Sequence, residues 1–151
     1  MRALMLMAVV ALAVPDREDP SPKKAPPTPQ DQILGEWQFE KVLIGGGLAQ
    51  PDQQKELIGR TLQITRTDIL VKVNGELRPD DCTAYKIDWS RQPAAIDLMP
   101  RKGDDKKVQG ILKLEGDRLT LCVCIDGNRP TTFSTDGPGL VMMLQLKRIK
   151  R

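Results

Sequence analysis

From about residue 30 onward the chain alternates between apolar and polar positions. In Leu62-Gln63-Ile64, Ile69-Leu70-Val71-Lys72-Val73, Tyr85-Lys86-Ile87-Asp88-Trp89 and Leu119-Thr120-Leu121-Cys122-Val123-Cys124-Ile125, apolar residues mostly recur at every second position. That is the period of a strand with one buried face. Further strands fit Glu36 to Ile44, Ala95 to Met99, Val108 to Leu114 and Val141 to Arg148, giving about eight. Asn74-Gly75 and Asp126-Gly127-Asn128 tolerate positive φ, and Glu115-Gly116-Asp117 joins two strand-like runs tightly enough for a hairpin. One stretch breaks the pattern: Pro51 to Ile58 carries helix formers after a proline and acidic start and stops at Gly59, predicting one short helix after the first strand. Short antiparallel strands in this number predict an all-β, closed up-and-down barrel, which removes exposed sheet edges.

The region before residue 30 is of another kind. Arg2 is followed by Ala3 to Val14 without a polar side chain, and Ala11-Leu12-Ala13 offers a small-x-small cleavage site. Residues 1–13 therefore read as a secretory signal. The run stops at Pro15 and the charged Asp16-Arg17-Glu18-Asp19, short of the roughly 20 apolar residues that a membrane span needs. Residues 14–29 hold six of the twelve prolines and no apolar residue larger than alanine after Val14, an extended linker. Residues 30–151 form the folded domain, and the expected location is periplasmic or extracellular.

Composition narrows the chemistry. Histidine is absent from the 151 residues, so Ser-His-Asp and Cys-His nucleophile systems and histidine metal sites are excluded. The net charge of +3 is spread along the chain, and with five aromatics there is no dense basic face with interleaved rings for nucleic acid. Gly45-Gly46-Gly47 lacks the Lys-Ser/Thr pair and the βαβ context of a phosphate loop. Asp80-Asp81 and Asp104-Asp105 read as solvated loop residues, because neighbours on one chain are the wrong source for a catalytic or calcium-binding carboxylate pair.

Three thiols in an oxidising compartment predict one disulfide and one leftover, Cys82 pairing with Cys122 or Cys124. The alternative is three free thiols serving as small apolar residues. Cys122 and Cys124, at i and i+2 on one strand, share a face about 7 Å apart at Cα, at the edge of disulfide reach. A four-coordinate thiolate metal site lacks its fourth ligand, so no metal or cofactor is expected.

Gly35-Glu36-Trp37 at the first strand is similar to the G-x-W signature of lipocalins and related calycin barrels, and Arg148 in the last strand resembles their partner cation. Parity favours Arg148 over Lys147, because Leu144, Leu146 and Arg148 share one face. Tyr85 to Asp88, Ala95 to Leu98, Gly110 to Leu112, Leu114 to Leu119 and Arg129 to Phe133 recur in an order that resembles an uncharacterised family of small exported lipocalin-like domains, expanded in planctomycete bacteria. The resemblance covers roughly Gln30 to Arg148 and implies a barrel closed at its base by the Trp37–Arg148 contact, with no assigned chemistry. The sparse aromatics argue against a retinoid-like or haem-like ligand.

Any ligand cavity would be lined by the inward parity set, chiefly Leu62, Ile64, Val71, Tyr85, Ile87, Leu112, Leu121 and Leu144. Two functions are expected, both non-enzymatic and without a membrane span. One is an exported lipocalin-like domain that binds a small apolar or amphipathic ligand in its barrel. The other is a secreted structural or interaction module with a filled barrel and an envelope protein as partner. A barrel cavity of at least about 300 Å³ favours the first, and its absence the second.

Overall fold

The computed structural model describes residues 25–48, 50–101 and 106–150. The expected signal segment, most of the linker and Asp104-Asp105 lie outside the described residues. Strands β1 (Gly35–Ile44), β3 (Arg60–Ile64), β4 (Asp68–Val73), β5 (Glu76–Asp88), β6 (Ala94–Pro100), β7 (Val108–Glu115), β8 (Arg118–Cys124) and β9 (Val141–Arg148) pair antiparallel with their successors. The pairing of β1 with β9 closes them into an eight-stranded barrel. The two-residue β2 (Gly47–Leu48) folds back on β1, and α2 (Pro51–Ile58) follows it, so the short helix stands where the sequence predicts it.

Turn chemistry sets the registers. Asn74 and Gly75 take φ of 51° and 81°, the left-handed pair that a two-residue hairpin needs, and Val73 accordingly faces Glu76. In β1 the register against β9 slips between Phe39 and Lys41. That bulge explains how Trp37, Phe39 and Val42 are all buried although 39 and 42 differ in parity.

The base is sealed by a helix that sequence reading does not foresee. Thr28 caps α1 (Pro29–Ile33) through a reciprocal box with Asp31, and Pro29 occupies the first turn. Ile33 is buried under the barrel, and Trp37 Nε1 donates to its carbonyl at 2.8 Å. Arg148 lies opposite Trp37 in register, its guanidinium carbon 4.3 Å from the ring centroid. It also donates to the carbonyls of Leu34 and Gln32. Gly35, at φ 121°, has a backbone that side chains rarely adopt, and a Cβ there would lie 3.4 Å from Arg148 Nη1.

Two further expectations change. β5 begins at Glu76, so Asp80-Asp81 lie in a strand, at the break where residues 79–82 face the single Leu70 of β4. The disulfide from Cys82 to Cys122 or Cys124 does not form, and all three thiols are free. Cys82 is on β5 and its candidates on β8, three strand spacings away, roughly 14 Å around the barrel against a Cα reach of about 7 Å.

Candidate functional site

Of the eight positions expected to line a cavity, Leu62, Ile64, Tyr85, Leu112 and Leu121 are only 1–6% exposed, while Val71, Ile87 and Leu144 are half-buried. All eight belong to one apolar cluster with Trp37, Phe39, Leu119 and Leu146. A side chain facing a void of several water volumes retains surface reachable by water, and these five retain almost none. The interior is a packed core around them. Tyr85 supplies a polar atom at its base: its hydroxyl donates to the Thr65 carbonyl and receives Gln30 Nε2 at 2.6 Å, while Trp89 Nε1 donates to Gln30 Oε1 at 3.3 Å. Burial pushes the Tyr85 hydroxyl above its ordinary pKa.

The more open geometry lies outside the barrel. Residues 125–140, between β8 and β9, form a strap that turns back over the outer face of β6 to β9. Its anchor is Arg129. Nη1 donates to the carbonyls of Gly110 (3.1 Å) and Ile96 (3.4 Å), and Nη2 to Asp97 Oδ1 (2.5 Å). Lys107 Nζ reaches the other Asp97 oxygen at 2.8 Å. Burial pushes the Asp97 carboxyl up, but Lys107 and Arg129 outweigh it and hold it below the usual carboxylate range. Gly110 has a role of its own, since a Cβ there would stand 2.6 Å from Val123 Cγ1 and from the Cys122 carbonyl oxygen. Three segments on which the family resemblance rests, Ala95 to Leu98, Gly110 to Leu112 and Arg129 to Phe133, thus meet at one spot on the barrel wall.

Beneath the strap is a second small core of Ile111, Cys122, Cys124 and Val141, with Phe133 and Met143 packed against it. Lys113 Nζ lies 5.2 Å from the Phe133 ring centroid. The strap's far end is held by Thr135, buried, whose hydroxyl accepts the Gly46 N–H at 3.0 Å. Its neck is closed by the Ile125 N–H on the Leu140 carbonyl (3.0 Å) and by Asp126 accepting the Leu140 N–H.

The strap encloses a cleft of about 650 Å³, lined by Asp126 to Thr132, Ser134, Asp136 to Gly139 and Val141. Its wall is mixed: Pro130, Pro138, Val141 and three glycines stand beside the hydroxyl residues Thr131, Thr132 and Ser134, the amide of Asn128 and the carboxylates of Asp126 and Asp136. Ser134 Oγ donates to Asp136 Oδ2 at 3.3 Å and accepts the Asp136 N–H at 3.2 Å, which fixes that corner. Sequence reading places a turn at Asp126-Gly127-Asn128 and assigns the strap nothing, because its residues carry no periodic signal. The run of apolar residues on both parities of β8 is the available clue, since it requires cover on both faces.

Among the described residues, no group of three His, Cys, Asp or Glu side chains is placed to hold a metal ion, and every buried side-chain nitrogen or oxygen has a hydrogen-bond partner. Among the described residues, no helix is long and apolar enough to cross a membrane. No family model matches the chain, and no curated protein or solved structure matches it either.

Proposed function

We propose that this chain is an exported, non-catalytic binding module of lipocalin-like architecture. The barrel is its filled scaffold, and the strap over β6 to β9 is its recognition surface. The observation that carries the reading is the contrast in volume: the positions expected to line a cavity are packed against one another, while the strap borders an open cleft of about 650 Å³. Hydroxyls, an amide and two carboxylates beside Pro130, Pro138 and Val141, on a strap clamped by Arg129, suit a partner with both polar and apolar groups, such as an exposed segment of an envelope protein. The signal-like segment and proline-rich linker support export and tethering.

Native mass spectrometry of the full chain from its exported fraction tests the division of labour. The expected result is a chain without an organic adduct. An apolar adduct that leaves on denaturation would restore the barrel as a ligand site and overturn the reading.

A further inference from the structure

The small core under the strap contains more sulfur than packing requires. Cys122 and Cys124 stand at i and i+2 on β8 and both point outward, 0% and 1% exposed. Met143 is the register partner of Cys122 on β9, so its thioether stands on the same face, with Cβ atoms about 4.5–5.5 Å apart. It packs on the same cluster. Three sulfur-bearing side chains therefore share this outer face of the sheet, in a chain without histidine to compete.

We propose that Cys122, Cys124 and Met143 form a binding site for a soft monovalent d10 cation, Cu(I). This goes beyond the binding role argued above and does not depend on it. Thiolate and thioether ligands select Cu(I), whereas zinc wants four ligands that this face does not supply. Spacing favours an ion over a disulfide. Sulfurs of a disulfide lie about 2 Å apart, but two sulfurs flanking an ion with bonds of about 2.3 Å stand roughly 4–4.6 Å apart, a separation that same-face residues two apart on a strand accommodate.

Entry comes from the cleft. Cys124 Sγ lies 3.0 Å and 3.1 Å from where side chains of Gly127 and Gly139 would begin. Both glycines line the cleft, so backbone without side chains is what stands between its space and the sulfur. Binding is written Cu⁺ + 2 RSH → [Cu(SR)₂]⁻ + 2 H⁺, with the thioether as third donor and no change of oxidation state.

The test is anaerobic titration of the reduced full chain with Cu(I) supplied as its acetonitrile complex, in competition with a chromophoric Cu(I) chelator. Expected is one Cu(I) per chain with a sulfur-only coordination sphere by X-ray absorption. Cys122→Ser, Cys124→Ser and Met143→Leu should each weaken binding by about 10-fold or more, near 1.4 kcal/mol. Cys82→Ser, on the far side of three strand spacings, should leave it unchanged. Met143→Leu preserves volume and keeps the test valid if a serine variant fails to fold. Failure of the wild type to hold copper against the chelator, loss of binding in Cys82→Ser, or full retention in Met143→Leu would overturn the site.

Discussion

The two faces of β8 make the most informative comparison in the molecule. Inward, Leu119 and Leu121 join a continuous core with Trp37 and Leu146, sealed at the base by α1 and the Arg148 guanidinium. Outward, Cys122 and Cys124 join a patch of four buried residues that is covered by irregular chain. The first is closed by sheet hydrogen bonds around the whole barrel. The second depends on a strap held at a few points, chiefly Arg129 and Thr135. A scaffold is best built from the first kind of packing, and a surface that must admit something from the second, because regions with few buried contacts open at lower free energy.

The comparison breaks most visibly at the base. Trp37→Ala removes the largest buried side chain together with its hydrogen bond to Ile33 and its cation–π contact with Arg148, and should cost about 3–5 kcal/mol, seen as a lowered midpoint in urea unfolding. A smaller loss would show that the interior relaxes to fill the space and is not a rigid core. Next comes the strap. Arg129→Ala should cost about 1–3 kcal/mol, and its signature is local: faster amide exchange over residues 125–140 with β1 and β3 protection unchanged. Uniform loss of protection would mean that strap and barrel unfold as one unit.

The smallest effect is the pH dependence of the Arg129–Asp97–Lys107 cluster. The Asp97 carboxyl is held below its unfolded value of about 3.9. Its contribution is therefore fully present above about pH 4 and is lost as pH falls through the lower folded value. Strap protection in the wild type should exceed that of Asp97→Asn at neutral pH, and the gap should close only in acid below about pH 4. A gap that closes between pH 5 and 7 would assign the latch to another group.

Much of this was legible beforehand, and for a local reason. Alternation placed four barrel strands and strand-like runs the other four, β5 only in its second half; Asn74-Gly75 placed a hairpin, and the proline start and Gly59 stop bracketed α2, since each signal is written within a few residues of what it specifies. The resemblance implied a cation opposite Trp37, parity preferred Arg148 to Lys147, and the register sets Arg148 there. α1 was present in the sequence as Thr28-Pro29-Gln30-Asp31, a capping box, but it sits at the end of a proline-rich run that reads as linker.

Sequence by itself determined the strands, their turns, the inward parity set and the absence of histidine chemistry. Tertiary structure alone decided the rest: which strands are neighbours around the barrel, and hence that Cys82 cannot reach Cys122 or Cys124, and that Arg129 clamps Asp97 across 32 residues of chain. It also decided that the inward set packs against itself, while Cys122, Cys124 and Met143 share the outer face. The physical reason is that periodicity reports which face of a strand is apolar. What covers that face is set by long-range register and by loops whose residues carry no period.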